Sequence, residues 1–294
     1  MLFDPQQVRH NRQRASTLPQ DHRFLHDWTL RNLIDRLGII KRSFPQVLLL
    51  GGRADPALDS DLRKAAKAEH LVVMDKAAFP GRTATLIADE ETLPFEQQSF
   101  DLITSPLTLH TVNDLPGTLI QIRRSLKSDG VFLGAMLGGQ TLHELRECLM
   151  EAELAIKGGV SPRIFPFADK QQAGALMQRA AFALPVVDSE IVTVTYENIF
   201  RLMADLRGMG ETNAVMARSR TPLRRDILAE AALLYAERYS DPDGRIRATF
   251  EIIFMIGWGP HESQQKPMRP GSATKSLADA LGTQEIKTGD RAQP

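Results

Sequence analysis

The sequence predicts an α/β protein, a doubly wound and mostly parallel sheet with helices on both faces. Three observations carry this. Short apolar or β-branched runs alternate with segments of helical periodicity. The runs are apolar nearly throughout, as in strands covered on both faces. A glycine pair or an acid closes each of the first three: Gly51-Gly52, Asp75 and Asp89.

In order along the chain, Leu30, Leu33, Ile34 and Leu37 fall on one face of a helix that Gly38 ends, placing it at 24–38. The first strand is Val47–Leu50. A helix should follow it, with Asp55 as N-cap and Pro56 at the first helical position. Leu71–Met74 and Thr85–Ala88 are the second and third strands, and Phe100–Thr104 is the fourth. A helix with the stripe Leu115, Leu119, Ile122 and Leu126 leads through an Asp129-Gly130 turn to a fifth strand, Val131–Ala135. Beyond residue 140 the pattern predicts a helix from Thr141 to Lys157 and a short one around Lys170–Ala181. Two strands, Leu184–Val187 and Ile191–Val194, come next. Two helices, carrying Ile199 to Leu206 and Ile227 to Tyr235, precede a final strand, Phe250–Trp258. Residues 1–265 read as one domain: the N-terminal helix, a core at 45–136, and a helical lid with C-terminal strands at 137–265. The Pro, Gly, Ser and charge-rich composition of 266–294 predicts a mobile tail.

Acidic and basic residues balance at 36 each, so no global field points to nucleic acid as a partner. The longest apolar runs are far short of the roughly 20 residues of a membrane span. The N-terminal MLFDPQQVRHNRQRA has no apolar secretory core. The single cysteine, Cys148, excludes an internal disulfide and suits a reducing compartment. A bacterial cytoplasmic location is the expectation. Seven scattered histidines give no metal-ligand spacing, and Cys148 reads as a core residue.

Ligands of open α/β sheets bind outside the carboxyl ends of the strands. Asp75 there can accept both hydroxyls of a ribose, and Asp89-Glu90 can accept from an exocyclic amine such as that of adenine. Ser105 follows strand four, and His110 faces the presumed substrate side. The carboxylates of Asp75 and Asp89 are expected to converge on one nucleoside-shaped hollow. The first loop, Leu50-Gly51-Gly52-Arg53-Ala54-Asp55, departs from a glycine-rich turn. Arg53 and Asp55 would be strained at positive φ, by about 1–2 kcal/mol each. Asp55 would also place negative charge where a helix N-terminus attracts a ligand carboxylate.

Two runs, ADEETLPFEQQSFDLITSPLTLHTVNDLP and LKSDGVFLGAMLGGQTLHELR, resemble the S-adenosylmethionine (SAM)-dependent methyltransferases of the biotin-pathway malonyl-carrier-protein group. The later segments GGVSPRIFPF, MADLRGMGETNA and MIGWGPHESQQKPMRPGSA are similar to those of the mitochondrial complex I assembly factor 5 and its alphaproteobacterial relatives. The resemblance runs from Phe3 to Ala273. It implies a class I, Rossmann-like fold with seven strands, and a SAM pocket. Gly51 matches the first glycine of the family's cofactor loop and Gly52 its variable position. Asp75 matches the ribose acid, Asp89 with Glu90 the adenine-side pair, and Ser105 with Leu107 the wall after strand four. The loop's other glycines correspond to Arg53 and Asp55, and the acid usual inside strand one is Leu49. Three functions follow as alternatives: a SAM-dependent methyltransferase acting on a small molecule or a protein, an arginine hydroxylase or assembly factor of respiratory complex I with one of its subunits as substrate, and a binding module whose SAM loop has degenerated. His110 and Arg163 are the candidate substrate-pocket residues, and no catalytic residue is assigned.

Overall fold

Successive residues of the central strands face opposite sides of the sheet, and this sets the layers. In the computed structural model, which describes residues 1–82, 85–265, 272 and 276–284, Val47 and Leu49 of β1 (Gln46–Leu50) pack into one apolar cluster. Leu48 and Leu50 pack into another on the opposite face. The first cluster receives α2 (Phe24–Gly38), α3 (Leu58–Ala66), α5 (His143–Lys157), α7 (Ile199–Met209) and α8 (Arg225–Tyr239). The second receives α4 (Leu115–Ser125) and α6 (Lys170–Arg179). Helices on both faces are what continuous apolar strands require.

β2 (His70–Asp75), β3 (Thr85–Ile87), β4 (Phe100–Pro106), β5 (Leu126–Leu137), β6 (Ala183–Tyr196) and β7 (Ile246–Trp258) complete a seven-stranded sheet of order β3-β2-β1-β4-β5-β7-β6. β1 to β5 pair in parallel, and β7 runs antiparallel to both β5 and β6. Strand order reverses between β1 and β4, so the loops after these strands open the crevice where ligands bind in such sheets.

Local expectations fail in three places. α3 begins at Leu58, not at Pro56, and Asp55 is no N-cap; its Oδ1 accepts from the Ala57 N–H at 2.9 Å in a preceding turn. The two strands expected between 184 and 194 are one 14-residue strand, because β7 pairs along its length from Ala183 to Tyr196. The Asp129-Gly130 pair lies inside β5, where Asp129 takes φ 61° and the ladder with β4 shifts register.

One α-helix of the first 260 residues had no counterpart in the pattern. α1 (Pro5–Ser16) starts on Asp4, whose carboxylate accepts from the Gln7 N–H at 3.1 Å, with Pro5 in its first turn. Its buried face is Val8, Asn11, Arg12 and Ala15. Only two of these are apolar, so hydrophobic periodicity did not reveal it.

Met1–Pro260 form one compact unit and His261–Pro294 a second. Within the second, Leu277–Leu281 form α9, capped by Ser276. The mobility expected for 266–294 falls mostly on positions outside the described residues. Among the described residues no helix is long and apolar enough to cross a membrane.

Candidate functional site

The loop after β1 is built from its glycine outward. Gly51 takes φ 112°, and a Cβ there would lie 2.3 Å from Thr108 Oγ1, so both conformation and space demand glycine. The Gly52 N–H donates to Asp75 Oδ2 at 2.7 Å, tying the loop to the end of β2. Arg53 and Asp55 are not strained: neither has positive φ. Arg23 Nε donates to the Arg53 carbonyl at 3.1 Å, the Asp55 N–H to Asp27 Oδ1 at 2.6 Å, and Arg82 to the Ala54 carbonyl at 2.8 Å. Side chains thus brace the backbone that further glycines would have left free.

Asp75, expected from the resemblance to be the ribose acid, already has a partner within the chain. Arg12, from α1, is buried at 1% exposure, and its Nη1 donates to Asp75 Oδ1 at 3.1 Å and to Glu90 Oε1. Burial pushes the Asp75 carboxyl up, but Arg12 and Arg53 outweigh it and hold it below its ordinary value. The expected convergence of Asp75 with Asp89 is corrected: Glu90 meets Asp75, through Arg12. Asp75 is fully buried, whereas the Asp89 side chain is 44% exposed and lies 3.0 Å from Lys76 Nζ. Asp89 lines a separate open hollow of about 300 Å³ with Pro5, Arg9, Lys76 and Ile87. It sits after the third strand, as placed, and its carboxylate turns outward because Lys76 stands between the two acids, 3.2 Å from Glu90.

Arg53 fills the next position along the crevice. It is 2% exposed and donates to the Leu107 carbonyl, to the Met209 carbonyl at 3.3 Å and to Glu211 Oε1. Leu107 itself sits at φ 49°, a strained setting for leucine, held by its N–H bond to the Ala135 carbonyl at 2.9 Å. Ser105 lies within β4 opposite Gly134, and its buried Oγ has no hydrogen-bond partner.

Beyond Arg53 lies a cavity of about 310 Å³, mostly apolar, at the lower end of ligand-site volumes. Leu142, Leu145, Phe165, Phe167 and Phe250 are among its walls; His26, Arg163 and Glu211 supply polar groups. Of the two candidate substrate-pocket residues, Arg163 lines this cavity, with its Nη2 held by Glu153 at 2.7 Å, and His110 does not. It borders a neighbouring one of about 260 Å³, and its Nε2 lies 2.9 Å from Glu211 Oε2. Glu211 and His26 escaped sequence reading, as did Arg12. Glu211 lies in the MADLRGMGETNA segment, where Gly210 at φ 81° ends α7 and turns the chain back. Burial pushes the Glu211 carboxyl up, yet His110 and Arg53 hold it well below the usual carboxylate range. Among the described residues no group of three or more His, Cys, Asp or Glu is placed to hold a metal ion.

The sheet order and the acid-closed crevice define a methyltransferase-fold protein of class I. A methyltransferase-domain family model matches residues 56–134. The YcgJ protein of Bacillus subtilis superposes with a TM-score of 0.51 at 13% identity, covering 79% of this chain and 99% of that one. The malonyl-[acyl-carrier protein] O-methyltransferase of Halorhodospira halophila is 34% identical over 80% of the chain and 81% of its own length. The arginine-hydroxylase NDUFAF5, mitochondrial, of Mus musculus is 40% identical over 99% of the chain and 87% of its own length. The chain belongs to the NDUFAF5 family. The expected bacterial cytoplasmic location is thereby corrected, since these relatives are mitochondrial. One cysteine and short apolar runs are as compatible with the inside of a mitochondrion as with a cytoplasm, so those cues never distinguished the two.

Proposed function

We propose that the chain binds an arginyl side chain presented by a protein, a subunit of respiratory complex I, for hydroxylation, in which an external oxidant of the dioxygen class supplies the inserted oxygen atom and a separate two-electron reductant takes its second oxygen to water. The observation that carries this is the cavity with an ionised carboxylate. An arginyl side chain has an apolar stem and a planar cationic head, and apolar walls beside buried Glu211 complement both parts. The NDUFAF5 relatives, named as arginine hydroxylases and similar over nearly the whole chain, support the same reading. In it, Phe165, Phe167 and Phe250 exclude water from the stem, while Arg53 and His110 fix the Glu211 carboxylate facing the head group.

SAM-dependent methyl transfer is the second reading. Gly51, Gly52 and Asp75 support it, because the family resemblance carries its cofactor loop and ribose acid onto these positions, which lie at the ends of β1 and β2. As folded, however, the residues do not fit it: Arg12 takes the ribose acid, and Arg53 occupies the space beyond Gly52. SAM would enter only with the Arg12 and Arg53 side chains displaced. No step is therefore assigned to it.

Mass spectrometry of complex I subunits, from cells with and without this protein, tests both. An arginine heavier by one oxygen atom, lost with the gene, supports the first reading. A gain of one methylene unit in its place supports the second and refutes the first.

A further inference from the structure

His26 lines the same cavity, and the reading above leaves its chemistry unused. It lies on α2, is 1% exposed, and lines the cavity beside Glu211. Neither ring nitrogen has a hydrogen-bond partner. Burial, and then nearby Arg53, hold its pKa well below the usual histidine range, so the ring is neutral, with one donor and one acceptor nitrogen. A buried polar atom without a partner is costly, and the cavity is lined by this ring.

We infer that His26 is a specificity-determining residue of the cavity, its lone-pair nitrogen accepting an N–H of the substrate's guanidinium opposite the Glu211 carboxylate. The inference rests on the arginine reading and deepens it. A guanidinium has donors only, in a fixed planar fork. Glu211 spends part of its accepting capacity on Arg53 and His110. A neutral acceptor alongside therefore lets the site take more than one edge of the fork without adding a second negative charge. A protonated histidine at this position would repel the ligand. The surrounding Arg23 and Arg53 join burial in disfavouring that form.

The test is calorimetric titration of the full chain with N-acetyl-arginine amide and with its neutral citrulline counterpart. Wild type, His26→Leu, His26→Gln and Glu211→Gln are compared, each shown to be folded by its melting transition. His26→Leu is expected to weaken arginine binding about tenfold or more, and His26→Gln to recover part of the loss, because an amide still offers an acceptor. His26→Leu should weaken citrulline binding too, whereas Glu211→Gln should matter mainly for the charged ligand. If His26→Leu does not fold, His26→Phe takes its place. Affinity within about twofold of wild type in the apolar variant overturns the role of His26 and leaves the arginine reading standing. Absence of wild-type binding, with arginine hydroxylation intact in cells, also overturns it by placing the substrate elsewhere. Absence of both defeats the functional reading as well.

Discussion

Arg53 donates to three acceptors at once, the carbonyls of Leu107 and Met209 and the carboxylate of Glu211. In a glycine-rich loop those positions would be served by a ligand. Here the chain serves them itself, and Arg53→Ala leaves Glu211 buried with one partner fewer. Removing one member of a buried pair costs about 3–5 kcal/mol, so the urea midpoint of Arg53→Ala is expected to fall steeply; an unchanged midpoint would show that the pair carries nothing. Titration adds a second expectation. The Glu211 carboxyl is depressed in the folded state, so its contribution is complete above the unfolded value of about 4.3 and is lost as pH falls toward the folded value. His26 is depressed as well, and for a histidine this means that the unfolded chain binds the extra proton. Stability should therefore begin to fall as pH drops below about 6.5. Denaturation midpoints measured from neutral to acid pH should show both slopes, with the first absent in Glu211→Gln and the second in His26→Leu. Neither residue was legible as a site in the sequence. A single glutamate after a helix and a single histidine within one are ordinary until the fold brings them to one cavity.

Helix α1 illustrates the same limit for an element. Its start is written locally, in Asp4 and Pro5, but its buried face includes Asn11 and Arg12, which no apolar pattern marks. What stabilises it is tertiary: the Asn11 amide donates to the Thr212 carbonyl at 2.7 Å, and Arg12 reaches Asp75 and Glu90. The helix thus closes the crevice at Asp75 and Glu90. Arg12→Ala is expected to raise the affinity for SAM measured by calorimetry, since Asp75 is then free to accept hydroxyls; unchanged or weaker binding would mean that α1 does not compete for this acid. The β1 loop, by contrast, was partly legible. The sequence named Gly51 as the first glycine of a cofactor loop; the fold adds that the turn itself needs glycine there, and Gly51→Ala, which brings a Cβ onto Thr108 at φ 112°, is expected to cost about 1–3 kcal/mol in chemical denaturation.

At the scale of the molecule, the single thiol offers a probe of the whole sheet unit. Cys148 is fully buried on α5, and burial pushes its thiol up to about 11, far from the reactive range. Thiol-alkylating reagents should therefore label it only at the rate of global unfolding; labelling in native buffer within minutes would reveal local opening of α5. The seven-stranded, mostly parallel sheet was readable because apolar runs, their spacing and the residues that close them are properties of neighbouring positions. Those local patterns determined most of the strands and helices, α1 and the extent of β6 excepted, and that Gly51 and Asp75 stand at strand ends. Only tertiary structure decided that β6 is one strand, that Glu90 rather than Asp89 meets Asp75, and that Arg12, Arg53, His26 and Glu211 meet along one crevice. The physical reason is range. Periodicity and capping act over a few residues, whereas the pairing of Arg12 with Asp75 and of Arg53 with Glu211 joins positions far apart in the chain, and it is settled only when the sheet has fixed where their backbones lie.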